Sequence, residues 1–392
     1  MIVRTYYVYG LFCGEERKMK VLHVISDENI GGAGVLLTSL LRNFDRTRVQ
    51  SVVALPRGSA LCERISELDI PTCELSYPCD RLSAASVREL SGLIRAQQVD
   101  IVHANAALSA RWAGRRCGTL VMHTRHCCYP PEGVWRMGAV RKLGGVWNRA
   151  LSDRVIATAD AAAENLLTLG IPRDRIDVII NGSEAVREVS EAETEAARAR
   201  WRIASDDFTV GICARLEPCK GHETFLRAAK RLTERYPCRS FRFLIVGDGS
   251  RRAELEVMCE TLGLESSVCF TGFVKDMAPI YRLLRVNVNC SMGTETSCLA
   301  VSEGMSAGVP AIVSDYGGNR AMIGDSMAGI VYPVGNADAL ADAIGRIVSD
   351  PALEAKMRRT ARERYESSYT AAAMTESVTR VYERMVESVL PR

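Results

Sequence analysis

The chain has 392 residues, of which 47% are hydrophobic and 25% are charged. This is a globular composition, in a chain long enough to form two domains. A formal net charge of only +3 argues against a nucleic-acid-binding protein, and no apolar run approaches the roughly 18 to 20 residues of a membrane-spanning helix. We therefore expect a soluble or peripheral protein.

The fourteen cysteines indicate the cellular compartment. They include no C-x-x-C pair, and Cys213, Cys269 and Cys290 lie within apolar, strand-like runs. Cysteine in such a run behaves as a small hydrophobic residue, which favours reduced, buried thiols over disulfides or a zinc site. The pattern predicts a cytoplasmic protein.

Residues 1–18 precede the first predicted strand and lack the small-residue cleavage pattern of a signal peptide. We interpret them as a leader or a mis-assigned start, because Met19 opens an apolar strand. Further strands are predicted to begin at Ser51, Asp100, Thr119 and Arg154, with helices at 35–44 and 87–98 between them. This alternation predicts a Rossmann-like N-terminal domain over residues 19–185.

The second half repeats the alternation with its own strands, predicted at 208–215, 241–249, 268–273, 286–291 and 310–316. It predicts a C-terminal Rossmann-like domain over residues 186–370. An acidic, alanine-rich segment from Ser183 to Asp207 is the best boundary. The tail, 371–392, contains an amphipathic helix from Ala371 to Leu390 that we expect to join the first domain. Its apolar stripe consists of Met374, Val378, Val381, Met385 and Val389. The predicted fold class is α/β, with two Rossmann-like domains facing a cleft.

Near the start of the chain, Gly31, Gly32 and Gly34 follow the first strand. Their spacing is not that of the G-x-G-x-x-G dinucleotide motif. A glycine pair at this position would let a phosphate or a sugar approach the backbone closely. An ordinary tight turn is an equally good interpretation.

Arg215 and Lys220 come just after a buried strand, and Gly221 opens the next helix. Open α/β sheets bind ligands at the carboxyl ends of their strands. A planar guanidinium and a compact ammonium at such a position suit a diphosphate, although two solvated loop cations are the alternative.

Glu295 and Glu303 are eight residues apart, the first in a loop and the second within a helical run. The backbone N–H groups at a helix start can bind anionic or hydroxyl oxygens, and here they belong to Thr296, Ser297, Cys298 and Leu299. A carboxylate can accept hydrogen bonds from the vicinal hydroxyls of a ribose. Taken singly, a helix-capping and a solvated glutamate would be the simpler interpretation.

Together these residues resemble glycosyltransferase family 4, the retaining enzymes of GT-B fold, from Met19 to about Tyr369. The motifs behind the resemblance are N-G at 181–182, R-x4-K-G at 215–221, V-G-D-G at 246–249, T-G-F at 271–273, E-x7-E at 295–303 and S-D-Y-G-G at 314–318. Their number, order and spacing make the match specific.

The resemblance implies that the first domain binds the acceptor and the second the donor, and it implies roles for the donor-site residues. Arg215 and Lys220 would bind the diphosphate of a nucleotide-sugar and Glu303 its ribose. Glu295 would act in catalysis beside the sugar, surrounded by the amides of Thr296, Ser297, Cys298 and Leu299. The backbone near Val274 would meet the nucleobase, while Gly31 and Gly32 would face the diphosphate from the first domain.

The family often has a T-x-H motif at the end of a first-domain strand, and Thr124-Arg125-His126 matches it. His126 is therefore our candidate for contact with the sugar near the reaction centre. His103 and His123 are rival candidates, and a purely structural histidine is the alternative.

Two positions depart from the family pattern. Thr296-Ser297-Cys298 replaces an aromatic-glycine pair, which affects the sugar pocket and leaves the donor sugar open. Asn319-Arg320-Ala321 stands where a glutamate usually follows the later glycine pair.

No D-x-D motif ends a strand, so no metal or other cofactor is expected. Fixed cations and helix N-termini would then stabilise the leaving diphosphate. The family resemblance implies a front-side, oxocarbenium-like transfer with retention, in which the leaving phosphate oxygen helps to deprotonate the acceptor hydroxyl.

The acceptor side is marked by a basic segment. Residues 103–154 contain nine Arg or Lys against two acids, and residues 134–151 interleave cations with Trp135 and Trp147. Such a helix can lie on an anionic membrane surface, where the family often uses lipid-linked acceptors for cell-surface polysaccharides or glycoconjugates. An ordinary solvated helix is the alternative.

We therefore expect a hexosyltransferase-class enzyme that uses a UDP-sugar in preference to a GDP-sugar, with a glycan or lipid-linked saccharide as acceptor and no nucleic-acid partner. The competing interpretations are a non-catalytic partner subunit of the same fold, a nucleotide-sugar epimerase, a sugar-phosphate synthase and a nicotinamide oxidoreductase.

Overall fold

The structure is a computed structural model that describes residues 18–28, 31–126 and 138–389, without the side chains of residues 139–143. Internal contacts divide the chain into two compact units. Unit 1 contains the residues up to Gly182 and those from Ala371 onward, and unit 2 is Ser183–Thr370. Residues 1–17 of the predicted leader lie outside the described residues. None of the described helices is long and apolar enough to cross a bilayer.

Unit 1 is built on a seven-stranded parallel sheet of order β3-β2-β1-β4-β5-β6-β7. The strands are β1 (Met19–Ile25), β2 (Val49–Pro56), β3 (Thr72–Leu75), β4 (Ile101–Asn105), β5 (Leu120–Arg125), β6 (Arg154–Ala157) and β7 (Ile176–Val178). The central β1 is buried from Val21 to Ile25 because both faces of the sheet are covered, so it reads as one apolar run.

The helices of unit 1 connect these strands and cover the sheet. They are α1 (Gly32–Asn43), α2 (Leu61–Ser66), α3 (Ala84–Ala96), α4 (Leu108–Cys117), α5 (Gly138–Leu151), α6 (Asp160–Thr168) and the C-terminal α15 (Ala371–Glu387). The apolar side of α15 is buried at Met374, Val378, Val381, Tyr382 and Met385. The predicted helix extended to 390, but α15 ends at Glu387 and Val389 lies half-buried in a turn.

Unit 2 has a six-stranded parallel sheet of order β10-β9-β8-β11-β12-β13. The strands are β8 (Phe208–Cys213), β9 (Phe241–Val246), β10 (Val268–Gly272), β11 (Val286–Asn289), β12 (Ala311–Ser314) and β13 (Gly329–Tyr332). The helices are α7 (Glu191–Trp201), α8 (His222–Arg235), α9 (Arg252–Thr261), α10 (Ala278–Leu283), α11 (Leu299–Ser306), α12 (Asn319–Ile323), α13 (Ala337–Ser349) and α14 (Pro351–Ser368).

The predicted α/β class is confirmed, and all ten predicted strands are present. Three strands were not predicted from the sequence, namely β3, β7 and β13, each three or four residues long and each at the edge of its sheet. Edge strands are partly exposed, so they lack the long apolar run that reveals a central strand. The boundary segment has no strand; it contains α7, which begins with a capping box of Ser190 and Glu193.

Candidate functional site in unit 2

The strand order of unit 2 reverses between β8 and β11. Ligands of open α/β sheets bind at such a switch point, outside the carboxyl ends of the strands. The loop after β8 carries Arg215 and Lys220, and the loop after β11 carries Glu295. The fold therefore brings the two predicted motifs to the same edge of one sheet.

Lys220 and Glu295 form a direct ion pair. The Nζ–Oε2 distance is 2.7 Å, and the side chains are only 20% and 9% exposed. The Ser291 hydroxyl also donates to Glu295 Oε2, at 2.8 Å. Together these contacts fix a carboxylate and an ammonium side by side in a poorly solvated place.

Opposing effects determine the ionisation of this pair. Burial alone would raise the pKa of Glu295, but the Lys220 charge and the hydrogen bonds from Lys220 and Ser291 lower it below its ordinary value. Burial likewise opposes the charged form of Lys220, while Glu295 raises its pKa above the ordinary value. Both groups are therefore charged at neutral pH.

Two glycines allow the loops to meet. Gly221 has φ +67°, and a Cβ there would lie 2.2 Å from the Cys290 carbonyl oxygen. Gly317, in the S-D-Y-G-G motif, has φ +57°, and a Cβ there would lie 1.9 Å from the carbonyl oxygen of Glu295. Any side chain at either position would push the loops apart and move the ion pair.

The residues between Glu295 and α11 provide a mixed set of donors. Thr294, just before Glu295, has φ +58°, which is uncommon for a β-branched residue. The N–H of Cys298, one of the four amides predicted to surround the donor sugar, donates to Met322 Sδ at 3.2 Å. Thr296 is buried, and the buried Ser297 hydroxyl has no hydrogen-bond partner among the described residues. Leu299 begins α11.

Glu303 lies within α11 and does not join the ion pair. Its Oε2 accepts a hydrogen bond from the Tyr281 hydroxyl at 2.9 Å, and burial raises its pKa. Tyr281 itself is fully buried, and its single hydroxyl proton is shared between Glu303 and the carbonyl of Ala300, 3.1 Å away. This contact between α10 and α11 orients the carboxylate.

The structure does not bring every predicted residue of unit 2 to the ion pair. Arg215 is exposed, and its charge acts on Glu217 in the same loop. Val274 is half-buried beyond the end of β10 and packs against the apolar cluster that contains Tyr281.

The three glycines that follow β1 differ in the space around them. Gly31 caps α1 and Gly32 is its exposed first residue, with open space where a Cβ would stand. In contrast, a Cβ at Gly34 would lie 2.7 Å from Leu61, so Gly34 is needed for the packing of α1 against α2.

The three candidate histidines of unit 1 have different surroundings. His103 is 1% exposed, with Nδ1 2.7 Å from the Tyr382 hydroxyl and Nε2 2.7 Å from the Thr124 hydroxyl. Both ring nitrogens are thus used to hold α15 and β5, so His103 is structural. His126 Nε2 lies 2.9 Å from Asn105 Oδ1, and burial lowers the pKa of His126 to about 4. His123 Nδ1 lies 2.9 Å from the Ser152 hydroxyl.

Several supporting residues escaped the sequence analysis. Ser291 contacts Glu295 directly, and the fully buried Asn319 donates to Asn289 Oδ1 and to the Ser314 carbonyl, both at 3.2 Å. Asn319 occupies one of the positions that depart from the family pattern, and here it ties the loops after β11 and β12 together. Only the spacing of Ser291 from Glu295, four residues, could have indicated its role.

Two family profiles match the chain. Residues 193–364 match Glycosyl transferases group 1, and residues 30–186 match Glycosyltransferase Family 4. EpsD of Bacillus subtilis, assigned as a glycosyltransferase, is 30% identical over 317 residues, which cover 76% of this chain and 81% of EpsD. The D-inositol 3-phosphate glycosyltransferase of Nocardia farcinica is 29% identical over 319 residues, 77% of this chain and 68% of that protein.

A shorter match and a solved structure add to these relatives. The GDP-mannose-dependent alpha-mannosyltransferase of Mycobacterium tuberculosis is 33% identical over 203 residues, 51% of this chain and 49% of that protein. The crystal structure of Anabaena HepE in complex with UDP-glucose has a TM-score of 0.81 at 21% identity, covering 93% of this chain and 100% of HepE. At that identity the likeness shows the fold, which is of the GT-B class with two Rossmann-like domains.

Proposed function

The chain belongs to glycosyltransferase family 4, and on that premise we propose that it is a retaining glycosyltransferase that uses a UDP-sugar and no metal ion. The observation that supports this proposal best is the 2.7 Å contact between Lys220 and Glu295 at the switch point of unit 2. A fixed cation and a fixed carboxylate stand there at the edge where a parallel sheet binds its ligand.

In the proposed donor complex, Lys220 binds the diphosphate together with Arg215, whose exposed side chain would turn inward. Glu303 accepts hydrogen bonds from the ribose, and its contact with Tyr281 holds the carboxylate in place. Glu295 lies beside the sugar, near the amides at the start of α11. The Lys220 charge stabilises the negative charge that develops on the leaving diphosphate, without reorganisation of solvent.

For the chemical step we propose front-side transfer with retention. The bond between the anomeric carbon and the diphosphate oxygen breaks, and the acceptor oxygen bonds to the same face of the sugar. The leaving phosphate oxygen takes the acceptor proton. Exclusion of water from the site would favour transfer over hydrolysis.

The similarity to two known proteins supports the choice of UDP over GDP. HepE, which matches over 93% of this chain, was crystallised with UDP-glucose, whereas the mannosyltransferase named for GDP-mannose aligns with only 51%. A thermal-shift panel of UDP-, GDP- and ADP-sugars would test this choice. We expect the largest rise in Tm with a UDP-sugar; a larger rise with a GDP-sugar would reverse the assignment.

Substitution of the ion pair tests the function itself. We expect Lys220→Ala and Glu295→Ala each to reduce turnover by about 10²- to 10³-fold, because each removes a preorganised charge. Release of UDP from a UDP-sugar serves as the assay and requires no known acceptor. Lys230→Ala is the matched control, since Lys230 forms an exposed surface pair with Glu234 at 3.6 Å.

The same assay separates the remaining alternatives. A non-catalytic subunit would release no UDP, and an epimerase would return an intact nucleotide-sugar. Retention predicts that the first sugar anomer released, followed by NMR, matches that of the donor. Metal independence predicts an unchanged rate after treatment with EDTA. Near-wild-type turnover by both ion-pair variants would contradict the assigned roles.

We also propose that the protein works at the cytoplasmic face of a membrane, on a lipid-linked acceptor. On α5, Val146 and Trp147 are 55% and 53% exposed, and Arg149 beside them is exposed. Trp135 lies outside the described residues. Flotation with anionic and with neutral liposomes tests the proposal: we expect binding only to the anionic ones, and equal behaviour with both would refute it.

A further inference from the structure

Unit 1 contains a cavity of about 410 Å³ at the carboxyl ends of β4 and β5. This volume is in the range of small-molecule sites. Its lining includes the apolar Leu166 and Leu169 and the polar Arg111, His123, Arg125 and Asn148. His126, our candidate for contact with the sugar, lines the same cavity.

Arg111 is a half-buried cation that no described carboxylate neutralises. Its Nε donates to the Ser152 hydroxyl at 3.0 Å, and its Nη2 donates to the Asn148 side-chain oxygen at 2.9 Å. Both partners are neutral. The two N–H groups on Nη1 have no partner among the described residues, and the side chain lines the cavity.

Ser152 links Arg111 to His123. Its oxygen accepts a hydrogen bond from Arg111 and lies 2.9 Å from His123 Nδ1, so its own proton could be donated to that nitrogen. Ser152 is 2% exposed, so water does not compete effectively for this network. With that donation the proton of the neutral His123 would lie on Nε2, which has no partner among the described residues. His123 lines the cavity and would then offer a second donor there.

The two acids described beside the cavity contact cations other than Arg111. Arg115, the next cation along α4, is paired with Asp153 at 2.8 Å, whereas Asp80 at the rim lies 3.6 Å from Arg81. Burial, with the charges of Arg115 and Arg125, lowers the pKa of Arg111 to about 10. An anion in the cavity would relieve this unfavourable arrangement.

We propose that this cavity binds a phosphate group of the acceptor, through Arg111 and His123. A guanidinium fork and an adjacent N–H group match phosphate oxygens, which carry more negative charge than those of a carboxylate. The remaining volume and the leucine side chains would hold the group that the phosphate carries. This inference rests on the proposed function, and it identifies the acceptor as a phosphorylated compound.

Thermal shift with inorganic phosphate tests the site, in the presence of saturating UDP so that the donor site of unit 2 is already filled. With phosphate well above its Kd, we expect Tm to rise by about 2–4 °C in the wild type. We expect no rise in Arg111→Gln and a reduced rise in Arg111→Lys, which keeps the charge but loses the fork. Arg116→Gln, on the exposed side of the same helix, is the matched control and should respond like the wild type.

The outcomes separate this inference from the proposed function. If UDP raises Tm and phosphate does not, or if Arg111→Gln responds like Arg116→Gln, the phosphate site is refuted and the donor assignment stands. A rise with acetate equal to that with phosphate would refute the choice of phosphate. If UDP itself causes no shift and no UDP is released from a UDP-sugar, the proposed function fails independently of Arg111. Should Arg111→Gln not fold, Arg111→Lys and the wild-type titration still decide.

Two arms distinguish the source of the phosphate. Glycerol 3-phosphate represents a free phosphomonoester, and vesicles containing phosphatidic acid represent a membrane one. A response to glycerol 3-phosphate that Arg111→Gln abolishes supports a free acceptor. Binding to the vesicles that Arg111→Gln abolishes and Arg116→Gln retains supports a lipid-linked acceptor. Responses that do not depend on Arg111 contradict the inference.

Discussion

The Lys220–Glu295 pair illustrates how a buried carboxylate is kept charged. Burial alone would raise the pKa of Glu295, and the neighbouring ammonium reverses this effect. Breaking a buried pair by removing one partner is costly, because the remaining charge keeps its desolvation penalty without compensation. Substitutions in the pair should therefore change both the free energy of unfolding and the turnover, and the two effects can be measured independently.

We expect Lys220→Met to lower the free energy of unfolding of unit 2 by about 3 kcal/mol, since it leaves Glu295 buried and unpaired. The double variant Lys220→Met/Glu295→Gln should recover most of this loss, as it removes both charges. Denaturant unfolding measures both quantities. Lys230→Met, at an exposed pair, should change the free energy by less than about 1 kcal/mol. Equal losses in the single and the double variant would show that the charge is not the cause.

The buried histidines make the folded protein less stable as the pH falls. A base whose pKa is raised by an ion pair would have the opposite effect. Burial lowers the pKa of His23 to about 3 and those of His126 and His222 to about 4. Since the unfolded histidine titrates near 6.5, the unfolded state takes up protons first as the pH falls. Stability is thus complete above about pH 6.5 and declines between pH 6.5 and the folded pKa values.

At pH 5 each such histidine should reduce the free energy of unfolding by about 2 kcal/mol relative to pH 7.5. Denaturant unfolding at a series of pH values measures the slope. His23→Phe, which replaces a fully buried ring that packs against Phe44 and Tyr382, should give a shallower slope, with about one proton less taken up on unfolding. An unchanged slope in this variant would mean that His23 titrates normally in the folded protein.

At the scale of the elements, loops rather than helices or strands determine the site geometry. The loop after β12 reaches the loop after β11 only because Gly317 has no Cβ, and the fully buried Asn319 then holds it there. This contact fixes the backbone of Glu295. The conformation of the loop after β12 therefore helps to position Glu295, the catalytic candidate in the loop after β11.

We expect Gly317→Ala to reduce turnover by at least about 10-fold, because a Cβ 1.9 Å from the Glu295 carbonyl must displace that residue and misplaced catalytic groups lose much of their effect. Gly335→Ala is the matched control, with φ +71° and open space around its Cβ. Both variants acquire similar backbone strain, of about 1–2 kcal/mol. Measured by UDP release, only Gly317→Ala should lose activity; equal losses would assign the effect to backbone strain alone.

For the whole molecule, the important feature is that unit 1 consists of two separate segments of the chain. The helix α15 returns after unit 2 and buries Met374, Val378, Val381, Tyr382 and Met385. Arg48 also bonds Glu376 at 2.8 Å and Glu383 at 2.7 Å, which joins the start of β2 to the same helix. Unit 1 is thus incomplete until the end of the chain has been synthesised.

A chain that ends at Thr370 should lose the cooperative unfolding of unit 1, because it exposes this apolar surface and leaves His103 without Tyr382. A chain that ends at Ser388 keeps α15 and is the matched control. Urea unfolding and limited proteolysis of both chains provide the measurement. A shortened chain that unfolds like the control would show that α15 contributes little to unit 1.

Much of this protein was determined by local sequence. The central strands are buried on both faces, so continuous apolar runs predicted them, and the regular alternation predicted the confirmed α/β class. The family was predicted from motifs at fixed spacing. Such motifs can be read from the sequence because local loop and helix geometry determines the spacing of residues such as Glu295 and Glu303. The short edge strands β3, β7 and β13 carry too little apolar pattern to be predicted in this way.

Only the tertiary structure decided which residues of distant segments meet. No pattern in the sequence could show that both ring nitrogens of His103 form hydrogen bonds, with Tyr382 and Thr124. Nor could a pattern show that His123 and Arg111 both contact Ser152 beside a cavity. Nor could it show that the Cys298 amide already has a partner in Met322. Hydrogen-bond partners far apart along the chain depend on how helices and strands pack. Local periodicity indicates only which side of a helix or strand is buried. It therefore predicted the helices and strands, whereas the partners of these polar groups were decided by the tertiary packing.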